Sequence, residues 1–164
     1  MKISEKLLEK LNEQINKELY SAYLYLGMAA YFEERGLSGF AHWFKVQAKE
    51  ETEHAMMFYN HIMDRGGKII LRPIQAPPNN WQSITEIFNQ ALKHEKEVTK
   101  SIHEILDLAR EIRDKPAEVF LMKFVEEQVE EEKIFTDILQ ILEYAGETPQ
   151  TVLMLNVKLA QRNQ

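Results

Sequence analysis

Residues 50–58 read EETEHAMMF, three carboxylates and a histidine running straight into an apolar stretch. On an α-helix Glu51 and His54 stand three positions apart, one turn above the other on the same side. Extended in both directions, that side reads Leu37, Phe40, Phe44, Gln47, Glu51, His54, Phe58, so the charged pair occupies positions that a bundle helix buries.

Three other segments break their apolar stripe in the same way. The first reads Leu8, Leu11, Ile15, Glu18, Ala22, Tyr25, Ala29, Phe32; the third reads Ile84, Ile87, Ala91, Glu95, Val98, Ile102, Ile105; the fourth reads Ala117, Phe120, Phe124, Glu127, Glu131, Ile134, Ile138, Ile141. Each interruption falls near the middle of its helix, so in a bundle Glu18, Glu51 with His54, Glu95, and Glu127 with Glu131 converge on one level.

Proline and glycine fix the boundaries. The first periodic run spans Ser4 to about Arg35, and Gly36, Ser38 and Gly39 mark a turn before a second run that ends near Gly66 and Gly67. Ser83 and Glu86 form a capping box that starts a third helix running to about Arg113. Asp114-Lys115-Pro116 starts a fourth, which ends at Gly146, and Thr148-Pro149 starts a short fifth through Val152, Leu153, Leu155 and Leu159, with a polar Gln-Arg-Asn-Gln end expected to fray. Residues 67–82 hold Pro73, Pro77, Pro78 and Trp81 without helical periodicity. At about 3.3 Å per extended residue, some 15 residues span a helix of about 30 residues rising 1.5 Å each, so this segment is a crossover. The expected fold is all-α: an up-down-down-up four-helix bundle with its long crossover between helices two and three, and a short fifth helix, in a single domain over 1–164.

Composition narrows the chemistry. The absence of cysteine excludes disulfides, thiolate zinc sites, iron–sulfur clusters and thiol nucleophiles. A net charge of −6, from 26 acidic and 20 basic residues without a basic stripe, makes nucleic acid an unsuitable partner. No segment has the roughly 18 consecutive apolar residues of a membrane span, and the N-terminus lacks a signal-peptide core, which points to a soluble cytoplasmic protein.

Several uncompensated carboxylates in one core would cost roughly several kcal/mol each, and no lysine or arginine occupies the seams nearby. A bound cation resolves the conflict. Carboxylates with one imidazole and no thiol suit iron or manganese, and Glu-x-x-His with glutamates from other helices is how bundle proteins hold two such ions. A lone Glu-x-x-His is common by chance, and one buried glutamate is more often salt-bridged; four helices interrupted at one height is the feature that distinguishes this sequence. Tyr25, two turns along from Glu18, reads equally as core packing, as a hydrogen-bond donor beside the centre or as a one-electron donor. His42, His61, His94 and His103 lie off the seams as surface or interface residues. The run YSAYLYLGMAAYF at 20–32 is apolar nearly all round, which predicts a second buried face and hence self-association.

LNEQINKELYSAYLYL around Glu18, AHWFKVQAKEETEHA around Glu51 and His54, ALKHEKEVT around Glu95 and FVEEQVEEEK around Glu127 to Glu131 follow one another in order and at characteristic separations. In these motifs the sequence resembles the non-haem bacterial and archaeal ferritins over essentially its whole length. The resemblance implies twenty-four such chains in a hollow shell, with a ferroxidase centre inside each. On that pattern Glu18, Glu51 and His54 hold the first iron, Glu51 bridges, and Glu95 and Glu131 hold the second, with Gln128 close by. Glu50, Glu127 and Glu130, with Glu131 shared, match a third iron site, and Tyr25 matches the tyrosine beside the centre.

Differences from sister families sharpen the match. Haem-containing bacterioferritins carry a haem-ligating methionine just after the bridging glutamate; here that position is Thr52, so haem is not expected. They and the rubrerythrins have a second Glu-x-x-His on the fourth helix, where this chain has Glu127 and Glu130. Rubrerythrins add a cysteine-ligated iron domain, which this chain cannot form, and the small starvation-induced ferritins lack a fifth helix. Three functions stay open at this level: ferroxidation coupled to storage by dioxygen or peroxide, a di-iron oxidase or peroxidase without storage, and a structural oligomer whose buried glutamates are protonated.

Overall fold

The computed structural model describes residues 2–164, with helices α1 (Glu5–Glu34), α2 (Ser38–Asp64), α3 (Ile84–Glu111), α4 (Lys115–Ala145) and α5 (Pro149–Leu159), and no strand among the described residues. The ends form where local chemistry demands. Ser4, Ser83, Asp114 and Thr148 each accept a backbone N–H from the first turn they precede. At Ser83 the box closes one residue further out than the motif implies, because Glu86 Oε2 accepts from the backbone N–H of Gln82 at 2.6 Å. Gly36, Gly66 and Gly146 take positive φ of 71°, 73° and 74° at the helix ends, where a Cβ would be strained.

α2 has no side-chain cap of its own at Leu37. Asn156 of α5 supplies one from a distance, its Oδ1 accepting from Gly39 N at 2.8 Å and Phe40 N at 3.2 Å. A Cβ on Gly39 would lie 1.7 Å from Asn156 O, so glycine is what lets α5 dock against the start of α2.

The crossover is anchored along α1. Asn12 Nδ2 donates to Lys68 O at 3.0 Å and Asn12 Oδ1 accepts from Ile70 N at 2.8 Å; Asn16 reaches the carbonyls of Arg72 and Pro73; and Trp81 lies edge-on to Tyr31 at the far end of the helix. The segment therefore returns the chain to the end at which α2 began. α3 runs antiparallel to α1 and parallel to α2, the expected up-down-down-up arrangement.

Two apolar clusters lie above and below a polar layer. One is aromatic, built on Phe32, Phe40, Phe44, Trp43, Phe88 and Phe135, with Phe32 stacked on Phe40 at 4.6 Å between centroids. The other is mainly aliphatic, with Leu7, Leu11, Ile15, Ile62, Ile102 and Ile105 around Phe58 and Phe124. On α1 and α3 the expected stripes are the buried ones, with Leu8 alone only partly covered. On α4 the stripe is rotated by one residue at alternate steps: Leu121, Gln128, Phe135 and Leu142 are buried, not Phe120, Glu127, Ile134 and Ile141. Three of those four pairs are apolar at both positions, so periodicity permits either flank; only the choice of Gln128 over Glu127 has a chemical consequence.

Candidate metal centre

The polar layer is assembled from one carboxylate per helix. Glu18, Glu51, Glu95 and Glu131 are 1%, 1%, 0% and 3% exposed, each flanked by apolar neighbours that hold its helix in the bundle. Their oxygens gather into two groups. Glu18, Glu51 and His54 bring one ligand atom each within 4.8 Å of one another, and so do Glu51, Glu95 and Glu131. Glu51 belongs to both, which is the geometry of a carboxylate shared by two adjacent cations. His54 lies at the rim of the first group, its side chain 12% exposed, with Nδ1 3.5 Å from Glu51 Oε2 and 3.9 Å from Glu18 Oε2.

Burial makes this an expensive place for negative charge. It is the main cause raising all four carboxyls above their ordinary range, reinforced by Glu51 on Glu18 and by Glu95 on Glu51 and Glu131. Glu95 is pushed up to about 7 and Glu131 to about 8. Glu18 Oε2 is in addition a buried oxygen with no hydrogen-bond partner. An orphaned acceptor beside an imidazole and a second carboxylate suits a divalent cation, which would supply the positive charge and the electron-pair acceptor that this oxygen lacks.

Neutral side chains hold at least one oxygen of each carboxylate. Gln14 donates to Glu18 Oε1 at 3.0 Å, Gln47 to Glu51 Oε1 at 3.2 Å and to Glu131 Oε2 at 2.6 Å, and Gln128 to Glu95 Oε2 at 3.3 Å. Tyr25 donates to Glu95 Oε1 at 2.7 Å while its ring stacks at 5.9 Å on Phe135, so two of its three expected readings, packing and hydrogen bonding, describe one side chain. Burial, then the charge of Glu95, raises the Tyr25 phenol and keeps its proton in place.

The structure does not bring the third set together. Glu127 is 46% exposed and 4.0 Å from His54 Nε2, Glu130 is exposed, and Glu50 is half-buried and turned towards Arg162. Among the described residues no close group of ligand atoms includes any of the three. The placement of Glu127 in the buried seam is thus corrected to the rim, for the register reason given above.

Gln14, Ser101 and Arg162 escaped sequence reading. Gln14 and Gln47 carry a local signal, since both precede a ligand by four residues, in QINKE at 14–18 and QAKEE at 47–51, which aligns amide and carboxylate on one helix face. Ser101 and Arg162 carry none, being brought in from α3 and from the segment that follows α5. The expected fraying at the C-terminus is overturned at Arg162, whose guanidinium is held by Trp43 O, Gln47 and Glu50. His94 is more buried than an off-seam residue should be and meets Ser21 Oγ at 2.6 Å; burial lowers its pKa.

A four-helix bundle with two carboxylate groups sharing one glutamate defines a class of iron- and manganese-binding proteins. A family model described as "Ferritin-like domain" matches residues 8–145. The bacterial non-heme ferritin of Bacteroides fragilis is 40% identical over 160 residues, covering 98% of this chain and 99% of that one, and that of Staphylococcus aureus is 38% identical over 160 residues. The solved open pore ferritin of the hyperthermophilic archaeon Archaeoglobus fulgidus superposes with a TM-score of 0.96 at 44% identity, covering 98% of each chain. The chain belongs to the ferritin family, and its function is iron storage.

Proposed function

We propose that the chain oxidises ferrous iron at the Glu51-centred site and passes the ferric product to a mineral inside a shell of 24 subunits. The observation that carries this reading is the sharing of Glu51 by two groups of ligand atoms, one of which contains an unpartnered buried oxygen. Glu18, Glu51 and His54 hold one ferrous ion and Glu51, Glu95 and Glu131 the other, with Gln128 orienting Glu95. Each iron gives up one electron. The pair of electrons reduces dioxygen with two protons to hydrogen peroxide, or hydrogen peroxide with two protons to two waters.

The residues around the iron set the conditions for that step. Carboxylates that are protonated when empty release protons as the cations arrive, so charge enters a buried site in balanced form. The aromatic cluster above the layer limits water to the space the ligands define. Tyr25, which keeps its proton and donates it in a hydrogen bond to Glu95, orients that carboxylate and would serve as a donor of one electron. Glu50, Glu127 and Glu130, which are not gathered into one close group, would serve as a more weakly held iron position through which ferric ions leave, a role supported by the 4.0 Å approach of Glu127 to His54 Nε2. Haem has no part in this reading, because Thr52 follows Glu51 and its hydroxyl is bonded to Ala48 O at 3.1 Å.

Self-association is supported by the apolar face that a single chain leaves open, where Tyr23 and Leu26 of α1 are 52% and 50% exposed beside Leu71 of the crossover at 69%. No helix among the described residues is long and apolar enough to cross a membrane, and we place the protein, as one domain over 1–164, in the cytoplasm without a nucleic-acid partner.

The test is anaerobic loading of two ferrous ions per chain followed by air, with ferric absorbance as the readout. Fast oxidation in the wild type, abolished by Glu51→Ala and by His54→Ala, is the expected result. Equal slow oxidation in all three would reduce the carboxylates to structural residues. Solution mass separates storage from a stand-alone oxidase, which would form a small oligomer without a cavity.

A further inference from the structure

Arg162 lies just past the end of α5, outside the four-helix bundle, yet its side chain is only 17% exposed. Its guanidinium lies over the Trp43 ring, with Cζ 4.5 Å from the centroid. Nη1 donates to Trp43 O at 3.2 Å, and Nη2 donates to Gln47 Oε1 at 2.9 Å and to Glu50 Oε2 at 3.0 Å. The backbone carbonyl of the same residue meets His42 Nε2 at 2.7 Å, which pins the main chain as well.

The contact with Gln47 matters because a guanidinium has donors only. It can face the oxygen of a carboxamide and never the nitrogen, so it selects one of the two orientations of a buried amide. With Oε1 taken, Gln47 Nε2 must point into the metal centre, where it donates to Glu51 Oε1 at 3.2 Å and to Glu131 Oε2 at 2.6 Å. Without Arg162 the amide loses that constraint, and its oxygen can turn towards two carboxylates. The counterpart on α1 works through a hydroxyl: Ser101 Oγ accepts from Lys17 Nζ at 2.9 Å and donates to Gln14 Oε1 at 2.6 Å, so a donor-only cation acts on that amide at one remove instead of directly.

Resting on the reading of the Glu51-centred site as an iron centre, we infer that Arg162 is a positioning residue for it. Acting through Gln47, it fixes one oxygen of the shared carboxylate and one of its neighbour, and thereby couples the docking of α5 to the affinity of the centre for divalent cations. Loss of an outer partner of this kind weakens metal binding roughly ten- to a hundredfold.

The probe is cobalt(II), titrated anaerobically into the assembled metal-free protein and followed by its visible absorption and by calorimetry. Arg162→Ala should weaken binding about tenfold or more and alter the cobalt spectrum. In a Gln47→Leu background the same change should add little, because the amide through which it acts is gone. Arg162→Lys keeps a positive charge beside Glu50 but lacks the planar fork, and should restore only part of the affinity. Thermal melting of each variant identifies any loss of fold. The inference is overturned if Arg162→Ala binds cobalt like the wild type, or if it weakens binding equally with and without Gln47, which would assign the effect to Glu50 or to the fold. If Glu51→Ala leaves cobalt binding intact, the reading of the centre itself fails, and this inference with it.

Discussion

The chain offers one side-chain chemistry in two settings. Glu18, Glu51, Glu95 and Glu131 are buried at the centre of the bundle, their carboxyls raised by desolvation; Glu127 and Glu130 stand exposed at its rim and Glu50 is half-buried against a guanidinium. The buried set is costly when empty and strongly attracts cations. The rim set is already solvated or paired and gains little from one ion. On the proposed reading, environment and not residue type divides tight binding from transfer.

The sharpest way to break that division is to neutralise a member of the buried set without changing its shape. Glu95→Gln removes a ligand charge and with it a desolvation cost. Oxidation of the first two irons should slow by more than the roughly hundredfold that loss of an outer partner costs. The metal-free variant should nevertheless melt higher than the wild type at pH 8, as scanning calorimetry would record. A variant that lost both activity and stability would mean that the carboxylate is needed for packing.

pH probes the same cost next. Because Glu95 and Glu131 are raised to about 7 and about 8 from an ordinary 4.5, the folded state holds protons that the unfolded chain has released. The sign follows: their contribution to stability is full below about pH 4.5 and is lost as pH rises through about 7 to 8. Metal-free protein should therefore melt several degrees lower at pH 8.5 than at pH 5.5, with about 1 kcal/mol moving the midpoint by roughly 2–4 °C. A redox-inert divalent cation should restore the midpoint, and more at the higher pH. A flat profile would show that water or a buried cation already solvates the layer.

The contrast between the two sets also explains what sequence could and could not disclose. Four stripes interrupted at one height made the buried carboxylates legible, because an acidic residue in an apolar seam violates periodicity and asks for a reason. Glu127 was misplaced because its helix carries an apolar residue on either flank at three of four steps, so only three-dimensional packing decides between Glu127 and Gln128. Helix ends were legible from Ser83, Asp114, Thr148 and the glycines, whose preferences are local. Arg162 was illegible for the opposite reason: it lies more than a hundred residues from Glu50 and Gln47 in sequence, and only the docking of α5 through Gly39 and Asn156 brings it to them.

The rim should respond mildly. Glu127→Gln leaves the fold within about 0.5 kcal/mol of the wild type, as exposed substitutions do. The first oxidation of two irons per chain should persist with less than about a tenfold change, while repeated turnover slows as ferric ions leave less readily. Stopped-flow comparison of the first and later iron additions separates the two. A first addition as slow as that of Glu51→Ala would place Glu127 among the primary ligands and erase the distinction between the sets.

Tyr25→Phe tests the boundary at its smallest scale. The ring keeps its place against Phe44 and Phe135, so packing is conserved, but Glu95 Oε1 loses the donor that held it at 2.7 Å. Loss of one hydrogen bond to a buried acceptor costs about 1–3 kcal/mol in the metal-free protein. Iron bound at Glu95 would offset part of that loss, so the deficit should shrink on loading, and the first oxidation should slow only a few-fold if Tyr25 merely orients Glu95. A larger drop confined to single-electron steps, with a phenoxyl signal in wild-type samples frozen during turnover and absent from the variant, would make Tyr25 an electron donor. A deficit unchanged by iron would mean that its hydroxyl serves packing alone.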